Sequence, residues 1–334
     1  MVEGLKLGEP LMVIEDLKID FLTEEGTVKA LDSINLTVRK GEIHGLIGET
    51  GCGKSVTSLT TLGLLDDNAR IQGGHIYYRE KDLLKMKEKK LRRHIRGNEI
   101  SMIFQNPVSS LNPVYTAGEQ VRESVVLYQD KNKKRARQIV LDELDRVKLP
   151  DPEDVYEKYP HELSGGMKQR VMIAMMLACN SNLLIADEPT TALDVSIQAQ
   201  FIKVLKVLQE KNDLTILYIT HDMAVVSEIC DRVTVMYAGQ IVETADVHDL
   251  FKDPKHPYTR GLIHSVPGVK TAIEDFETIP GTVPRLINPP SGCRFHPRCE
   301  YAKKKCSKVK PTLEGVPGKN DKHVVSCHFW EEVE

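Results

Sequence analysis

The sequence has few aromatic residues, no excess of one charge and no long apolar run. Phe, Trp and Tyr make up 5% of its 334 residues, and Trp occurs once. Its 45 Lys and Arg nearly balance its 48 Asp and Glu, so no global basic field indicates nucleic acid as a partner. No run reaches bilayer-spanning length, and Met1–Gly4 lacks the basic start of a secretory signal. These absences predict a globular protein of the reducing cytosol, with more than one domain at this length.

The strongest motif is a glycine-rich stretch between an apolar run at 43–47 and a helical pattern at 56–65. It fits Gly-x-x-x-x-Gly-Lys-Ser, in which the glycines let successive backbone N–H groups face one anion. Lys54 would reach the terminal phosphates of a nucleoside triphosphate, and the Ser55 hydroxyl would bind Mg²⁺. The strand–loop–helix context disfavours a chance match in a glycine-containing turn. The predicted nucleotide-binding residues here are Gly48, Glu49, Thr50, Gly51, Cys52, Gly53, Lys54, Ser55 and Val56.

The chain before this loop shows strand patterns. Apolar residues alternate or cluster at 11–14, 18–21 and 30–38, which predicts an antiparallel sheet laid before the nucleotide core. Phe21 lies in the second of these strands. An aromatic residue in a strand is ordinarily a core residue, and that is its interpretation from the pattern alone.

After the loop, the pattern turns to helices. Residues 81–96 predict a charged helix, and 100–104 a short apolar strand that ends at Gln105. From 117 to 149 the apolar spacing is helical, and prolines interrupt the segment that follows. This part predicts a small helical subdomain inserted into an α/β core.

Polar residues lie at the start of one helix and at the ends of two strands in the second half of the chain. The segment Leu163–Arg170 opens a helix that Ser164 would cap, so its first amides can meet an anion. One apolar strand ends in Asp187 and Glu188, at the strand end where α/β sheets bind ligands. Another apolar strand ends in His221. These residues form the second half of a predicted nucleotide site.

In this order, the motifs resemble the ATPase subunits of ABC transporters over residues 11–250. The most specific run is Leu163-Ser164-Gly165-Gly166, about 110 residues after the phosphate loop. The resemblance implies an α/β P-loop fold and the cofactors ATP and Mg²⁺. It also implies that ATP binds between two head-to-tail ATPase domains, the loop of one facing Ser164, Gly165 and Gly166 of the other.

The resemblance implies catalytic roles as well. Ser55 and Asp187 would hold Mg²⁺, and Glu188 would polarise the attacking water. His221 would contact the γ-phosphate. Gln105 would sense the metal, the water and the transporter together.

Three more positions depend on the resemblance. Phe21 would stack on the nucleotide base, and Asp194 would lie at the interface of the ATPase dimer. Val56 stands where many ABC ATPases have a Thr whose hydroxyl touches phosphate. Backbone amides can replace that hydroxyl, so the site is interpreted as active.

Three runs resemble the dipeptide and oligopeptide permease ATPases: 106–113, His256–Thr259 and 279–293. In that family two different ATPase subunits pair beneath two membrane subunits, and an extracytoplasmic binding protein delivers the peptide. Nickel importers share much of this tail, so uptake of nickel or a metal chelate is the alternative. A soluble ABC ATPase acting on nucleic acid is a weaker alternative, because only one cassette is present and no long coiled-coil insertion interrupts it.

Four of the seven cysteines crowd the end of the chain, with five, six and twenty residues between them. This segment could scarcely bury a core unaided, so a metal staple is predicted. Without a Cys-x-x-Cys knuckle, the spacing favours an iron–sulfur cluster, and His296, His323 and His328 keep zinc as the second choice. Reduced surface thiols rank third. Members of the resembled family with such cysteines are associated with a [4Fe-4S] cluster. The predicted ligands are Cys293, Cys299, Cys306 and Cys327.

The sequence therefore predicts an ATPase that powers peptide uptake from the cytoplasmic face of the cell membrane. Residues 1–250 would form the ATPase domain, with the helical subdomain at about 106–165, and residues 251–334 a C-terminal extension. The predicted partners are a second homologous ATPase subunit, two transmembrane subunits and an extracytoplasmic peptide-binding protein, with no nucleic acid. Nothing in the cysteine region supplies a ligand to the nucleotide site. That region is therefore expected to be a structural staple on which ATP binding hardly depends.

Overall fold

The computed structural model describes residues 8–105, 111–129, 132–191, 195–265, 279–319 and 322–333. The chain divides into two compact units, one of Met1–Lys85 with Ile219–Glu334 and one of Met86–Tyr218. The end of the chain therefore belongs to the same unit as its beginning. The domain boundaries predicted from the sequence follow the order of motifs along the chain, whereas the two units are defined by contacts in the fold. The predicted boundaries stay a prediction.

The described helices and strands alternate in the manner of an α/β protein. In chain order they are β1 (Pro10–Thr23), β2 (Gly26–Arg39), β3 (Ile43–Ile47), α1 (Lys54–Leu62), β4 (Ala69–Tyr78), β5 (Lys81–Asp82), α2 (Glu88–His94), β6 (Ile100–Ile103), α3 (Ala117–Tyr128), α4 (Lys133–Arg146), α5 (Pro152–Glu157), α6 (Gly165–Leu177), β7 (Leu183–Asp187), α7 (Val195–Asn212), β8 (Thr215–Thr220), α8 (Met223–Ile229), β9 (Arg232–Tyr237), β10 (Gln240–Asp246), α9 (Val247–Lys252), α10 (Pro257–His264), β11 (Glu314–Gly315) and β12 (Val324–Val325).

The first unit contains the predicted antiparallel sheet, with strand order β2-β1-β4-β5. The two strands predicted at 11–14 and 18–21 are halves of one strand, β1. Its pairing with β2 shifts register between Ile14 and Leu17, and Asp16 has φ 46° there. A bulge of this kind bends a strand without ending it, which is why the sequence pattern looks interrupted.

A second run of strands in the same unit has the order β11-β12-β10-β9-β3. β3 pairs parallel with β9, and every residue of β3 is buried. β10 pairs antiparallel with β9 and also with β12, the two-residue strand near the chain end. β3 leads directly into the phosphate loop, so this layer positions the loop at the carboxyl end of a buried strand.

The predicted charged helix at 81–96 is wrong in extent, because only Glu88–His94 is α-helical. The first residues of that segment pair with β4 as β5. The Asp82 carboxylate accepts the backbone N–H of Leu84 at 3.2 Å and contacts His75 Nδ1 at 2.8 Å. These bonds hold the segment in a turn, and a helix forms only beyond it.

In the second unit, the buried strands β6 and β7 pair in parallel, with Ile100 opposite Leu183. The helices α3 and α4 confirm the helices predicted at 117–149. α3 starts at a capping box of Thr116 and Glu119, and Asn132 caps α4. Within the described ranges, the structure contains no helix with the length and apolar character needed to cross a membrane.

Candidate nucleotide-binding site

The phosphate loop after β3 requires glycine at two positions. Gly48 has φ 154° and Gly53 has φ 104°. A Cβ on Gly48 would lie 2.2 Å from the carbonyl oxygen of Met236, and one on Gly53 would lie 2.6 Å from Leu31 Cδ2. No side chain fits at either position, so the backbone itself forms a cradle of the kind that binds phosphate.

Lys54 stabilises the phosphate loop through hydrogen bonds to two of its carbonyl oxygens. Its side chain is only 4% exposed, and Nζ donates to the carbonyl oxygens of Gly48 at 2.7 Å and Glu49 at 3.1 Å. A buried ammonium with these partners places positive charge beneath the loop. The predicted role of Lys54 in phosphate binding is compatible with this position.

The helix after the loop runs from Lys54 to Leu62, earlier than the predicted 56–65. Gly63, with φ 62°, ends it by donating its N–H to Leu59 and Thr60. Ser55 and Val56 lie half-buried in the first turn. The Ser55 hydroxyl is therefore carried at the positive end of α1.

Two other predicted residues of the first unit lie at strand positions. Phe21 is half-buried in β1, where it pairs with Val28 of β2 and Ala69 of β4. His221 is exposed and directly follows β8. Both positions leave side-chain surface available for a ligand.

In the second unit, the structure brings Gln105 and Glu188 together. Gln105 Nε2 donates to Glu188 Oε2 at 2.9 Å, and Thr191 Oγ1 donates to the same carboxylate oxygen at 3.3 Å. Glu188 has φ 45°, a conformation that is costly for a residue with a side chain and is concentrated at functional sites. Asp187, at the end of β7, is 3% exposed.

The run Ser164–Gly166 opens α6 as predicted. Ser164 caps the helix by accepting the N–H of Met167 at 3.4 Å. Among the residues that the structure describes, a Cβ on Gly165 would meet nothing within 4 Å. The buried Gln169 of the same helix donates Nε2 to the carbonyl of Pro189 at 3.2 Å. That bond ties α6 to the turn that carries Glu188.

Two predicted features lie outside the described residues. They are Asp194 and the residues 106–110 that follow Gln105.

Glu49 of the phosphate loop has two partners that sequence reasoning missed. Its backbone N–H donates to the Tyr258 hydroxyl at 2.8 Å. Arg298 grips its carboxylate with both terminal nitrogens, Nη1 to Oε2 at 2.7 Å and Nη2 to Oε1 at 3.1 Å. Tyr258 lies in one of the runs that indicated the subtype, but no local pattern marks Arg298, which is 249 positions from Glu49.

All seven cysteines are thiols, and the four near the chain end line one cavity of about 20 Å³. Burial, together with a smaller contribution from the other thiols of the cavity, raises the pKa of Cys299 to about 12 and that of Cys327 to about 11. Within the described residues, however, no group of three or more His, Cys, Asp or Glu side chains has the arrangement of a metal site. The four thiols therefore line the same cavity, but their sulfur atoms are not arranged as the ligands of one metal ion.

The three histidines kept for a zinc site differ in their surroundings. His296 and His328 line the same cavity as the cysteines. His323 is buried and contacts the Glu243 carboxylate through Nε2 at 2.7 Å. His323, unlike the other two histidines, is not among the residues that line the cavity.

The comparisons with known proteins agree with these features. The family model for ABC transporters matches residues 31–191, and the model for the oligopeptide/dipeptide transporter C-terminal region matches residues 242–306. The ATP-binding cassette MJ0796, solved as a dimer bound to ADP and Pi, has a TM-score of 0.63 at 26% identity and covers 71% of this chain and 98% of its own. The ABC transporter component cbiO1 of Clostridium perfringens has a TM-score of 0.62 at 29% identity, covering 73% of this chain and 92% of its own.

Curated relatives match almost the whole chain. The dipeptide transport ATP-binding protein DppD of Escherichia coli (strain K12) is 44% identical over 319 residues, which is 96% of each chain. The oligopeptide transport ATP-binding protein AppD of Bacillus subtilis (strain 168) is 47% identical over 323 residues, 96% of this chain and 97% of its own. The chain therefore belongs to the ABC transporter family of ATP-binding proteins, in its dipeptide and oligopeptide transporter branch.

Proposed function

We propose that this chain is the ATP-hydrolysing subunit of an importer of di- or oligopeptides. The observation that carries the hydrolytic role is the hydrogen bond between Gln105 and Glu188 at the end of β7. The peptide substrate is supported by the match of residues 242–306 to the oligopeptide/dipeptide transporter region. The identity to dipeptide and oligopeptide transport ATP-binding proteins over 96% of this chain adds to that support.

Nucleotide binding would begin at the phosphate loop. The backbone amides of the loop and the first turn of α1 would hold the phosphates, with Lys54 supplying a positive charge. Phe21 would stack on the base. The Ser55 hydroxyl and the Asp187 carboxylate offer the oxygen donors that Mg²⁺ prefers, and the ion would neutralise charge on the β- and γ-phosphates when bound.

Hydrolysis would depend on Glu188. Its carboxylate would accept a proton from the water whose oxygen attacks the γ-phosphorus, while the bond from that phosphorus to the β,γ-bridging oxygen breaks. The products are ADP and inorganic phosphate. Gln105 and Thr191 would hold the carboxylate in one orientation. His221 would contact the γ-phosphate.

Assembly would complete the site. The exposed Ser164 and Gly165 at the start of α6 would face the ATP of a second ATPase subunit, with Asp194 at the interface. The open space at Gly165 supports this, because a glycine without internal crowding suits close approach by another molecule. Two membrane subunits and an extracytoplasmic peptide-binding protein would complete the importer, which places this chain on the cytoplasmic face.

Co-purification tests this function. When the tagged chain is expressed with the genes for its permease, we expect two membrane subunits and a second ATPase to accompany it. Nucleic acid in place of these subunits would favour the soluble alternative. Binding of Ni²⁺ instead of peptide by the assembled importer would favour the nickel alternative.

We further propose that Cys293, Cys299, Cys306 and Cys327 hold a [4Fe-4S] cluster. Their convergence on one cavity supports this, since four thiolates can satisfy such a cluster. Without a metal, burial raises the pKa of the Cys293, Cys299 and Cys327 thiols and so favours their protonated form. A bound metal deprotonates its thiols and offsets that cost. Zinc is the alternative, with His296 or His328 as a further ligand.

Metal analysis of anaerobically purified protein separates the two. We expect a brown protein with about four irons per chain, and Cys306→Ser should lower the iron content. Cys230→Ala, a change at a buried cysteine outside the cavity, serves as the control. Stoichiometric zinc without iron would reject the cluster.

A further inference from the structure

The C-terminal region grips the phosphate loop at Glu49. The carboxylate of Glu49 is held by the two-pronged ion pair with Arg298, and its backbone N–H by the hydroxyl of Tyr258. Both ends of the residue are thus fixed by side chains that lie more than 200 positions away. A single loop residue held at its backbone and its side chain has little freedom left.

Arg298 is itself immobilised. Its side chain is 7% exposed, and its Nε donates to the carbonyl of Pro280 at 2.7 Å. Its Nη1 also contacts the Tyr237 hydroxyl at 3.3 Å, and its guanidinium lies 5.7 Å from the centre of the Tyr237 ring. Burial alone would lower the pKa of Arg298, but hydrogen bonds to Glu49 and Tyr237 raise it overall. We call Arg298 and Tyr258, which hold Glu49, the clamp. Its Arg298 guanidinium is held in one orientation, unlike a flexible charge on the surface.

The clamp is continuous with the cysteine cavity. Arg298 ends a short 3₁₀ turn, His296–Arg298, and is followed directly by Cys299. In the same turn region, Phe295 packs against the rings of Tyr237 at 5.1 Å and Tyr258 at 5.4 Å between centroids. Side chains adjacent to the cysteines therefore reach the loop through direct contacts. The expectation that the tail is a staple on which ATP binding hardly depends stays a prediction, and these contacts are the physical reason to infer the opposite.

We propose that Arg298 is a positioning residue for the phosphate loop. By fixing Glu49, Arg298 holds the loop in its binding conformation before nucleotide arrives, so that the segment around the cysteines sets the affinity for ATP. Ordering a glycine-rich loop costs conformational entropy, and a loop ordered beforehand does not incur that cost on binding. The inference rests on the proposed ATP binding by this loop.

Binding of MgATP to the full-length chain, measured by equilibrium dialysis, tests the proposal. Arg298→Ala and Glu49→Ala should each raise the Kd about tenfold, the effect of one charged hydrogen bond, and the double variant should be no weaker than the weaker single variant. Tyr258→Phe, which removes one oxygen, should also raise the Kd. Arg285→Ala is the matched control, because Arg285 is 89% exposed in the same C-terminal region. Arg298→Lys replaces Arg298→Ala if the latter does not fold, and it should weaken binding because lysine lacks the fork.

Two further results separate positioning from general stability. In the assembled importer, kcat at saturating ATP should be unchanged in Arg298→Ala while KM rises. By reciprocity, MgATP should slow amide hydrogen exchange at 293–299 in the wild type but not in Arg298→Ala. A wild-type Kd in Arg298→Ala would overturn the proposal. Full recovery of affinity in the double variant would also overturn it, because Arg298 would then only neutralise the Glu49 carboxylate, which repels the phosphates. Absence of ATP binding by the wild type would instead overturn the proposed function.

Discussion

Glu188 has a strained backbone and a carboxylate held by two hydrogen bonds. Because its proposed role is to accept a proton during hydrolysis, its substitution should affect the ATPase rate and not the affinity for ATP. Glu188→Gln keeps a hydrogen-bonding side chain but removes the proton acceptor. We expect MgATP to bind normally and the ATPase rate of the assembled importer to fall roughly 10²–10⁴-fold. Glu228→Gln, at an exposed position of α8, is the control. Near-normal turnover in Glu188→Gln would exclude Glu188 as the base.

Lys54 has a different role, so its loss should appear in binding. Lys54→Ala removes the ammonium that donates to Gly48 and Glu49 and that would meet the phosphates. We expect MgATP affinity to fall at least tenfold, the effect of one charged hydrogen bond or more. Lys18→Ala, at a half-buried position of β1, should bind normally. Unchanged affinity in Lys54→Ala would contradict the assignment of the phosphate loop.

The sequence identified single residues where a local motif carries the chemistry. Lys54, Ser164 and Glu188 stand at strand or helix ends that apolar patterns mark, and the structure has them there. Arg298 could not be found in this way, because its partner Glu49 lies 249 positions away and a lone arginine has no pattern. Contacts that depend on tertiary packing cannot be predicted from local sequence patterns.

At the scale of elements, the type of each element was easier to predict than its ends. The antiparallel sheet and the helices at 117–149 are confirmed. The ends were set by features with weak signals: a bulge at Asp16 joined two predicted strands, and Gly63 ended α1 early. The pairing of the two-residue strand β12 with β10 spans about 80 positions and has no periodicity to detect.

α10 begins at a buried histidine that should make stability depend on pH. His256 accepts the N–H of Tyr258 through Nδ1 at 3.1 Å, and burial lowers its pKa to about 3. The folded chain keeps the ring neutral while the unfolded chain protonates it below about pH 6.5, so stability falls as the pH falls through this range. Relative to neutral pH, this loss should reach about 2 kcal/mol at pH 5.

Denaturant unfolding across this pH range checks the effect. His256→Asn keeps a capping acceptor but cannot be protonated, so its stability should fall less steeply than that of the wild type. The other histidines are common to both proteins and cancel in the difference. Parallel curves for the two proteins would show that His256 stays accessible to protons in the folded chain.

The start of α6 offers a test of the interface. Gly165→Ala adds a methyl group where the described part of the chain places nothing within 4 Å, so thermal stability should not fall. If the partner's ATP approaches this glycine, the methyl group should lower the ATPase rate of the paired subunits at least tenfold, as misplacement in an active site does. Gly73→Ala, with equally open space in β4, should leave the rate unchanged. Full activity in Gly165→Ala would remove α6 from the interface.

At the scale of the whole molecule, the chain alone should be a poor ATPase. Its Ser164–Gly166 run would serve the partner's nucleotide, and the partner's run would serve its own. The ATPase rate per chain should therefore rise when the second ATPase subunit is added at a fixed concentration of this chain. Full activity in diluted single chains, unchanged by the partner, would contradict a shared site.

Peptide uptake into vesicles containing the reconstituted importer tests the role of this chain most directly. The two membrane subunits, the second ATPase and this chain are assembled in vesicles that enclose MgATP on the side that carries the ATPases. A radiolabelled dipeptide is supplied on the opposite side, together with the binding protein. We expect dipeptide to accumulate only with MgATP, and accumulation to fall with the ATPase rate when Glu188→Gln replaces the wild type. Accumulation of dipeptide at the wild-type rate with Glu188→Gln, or without MgATP, would contradict an ATPase that drives peptide import.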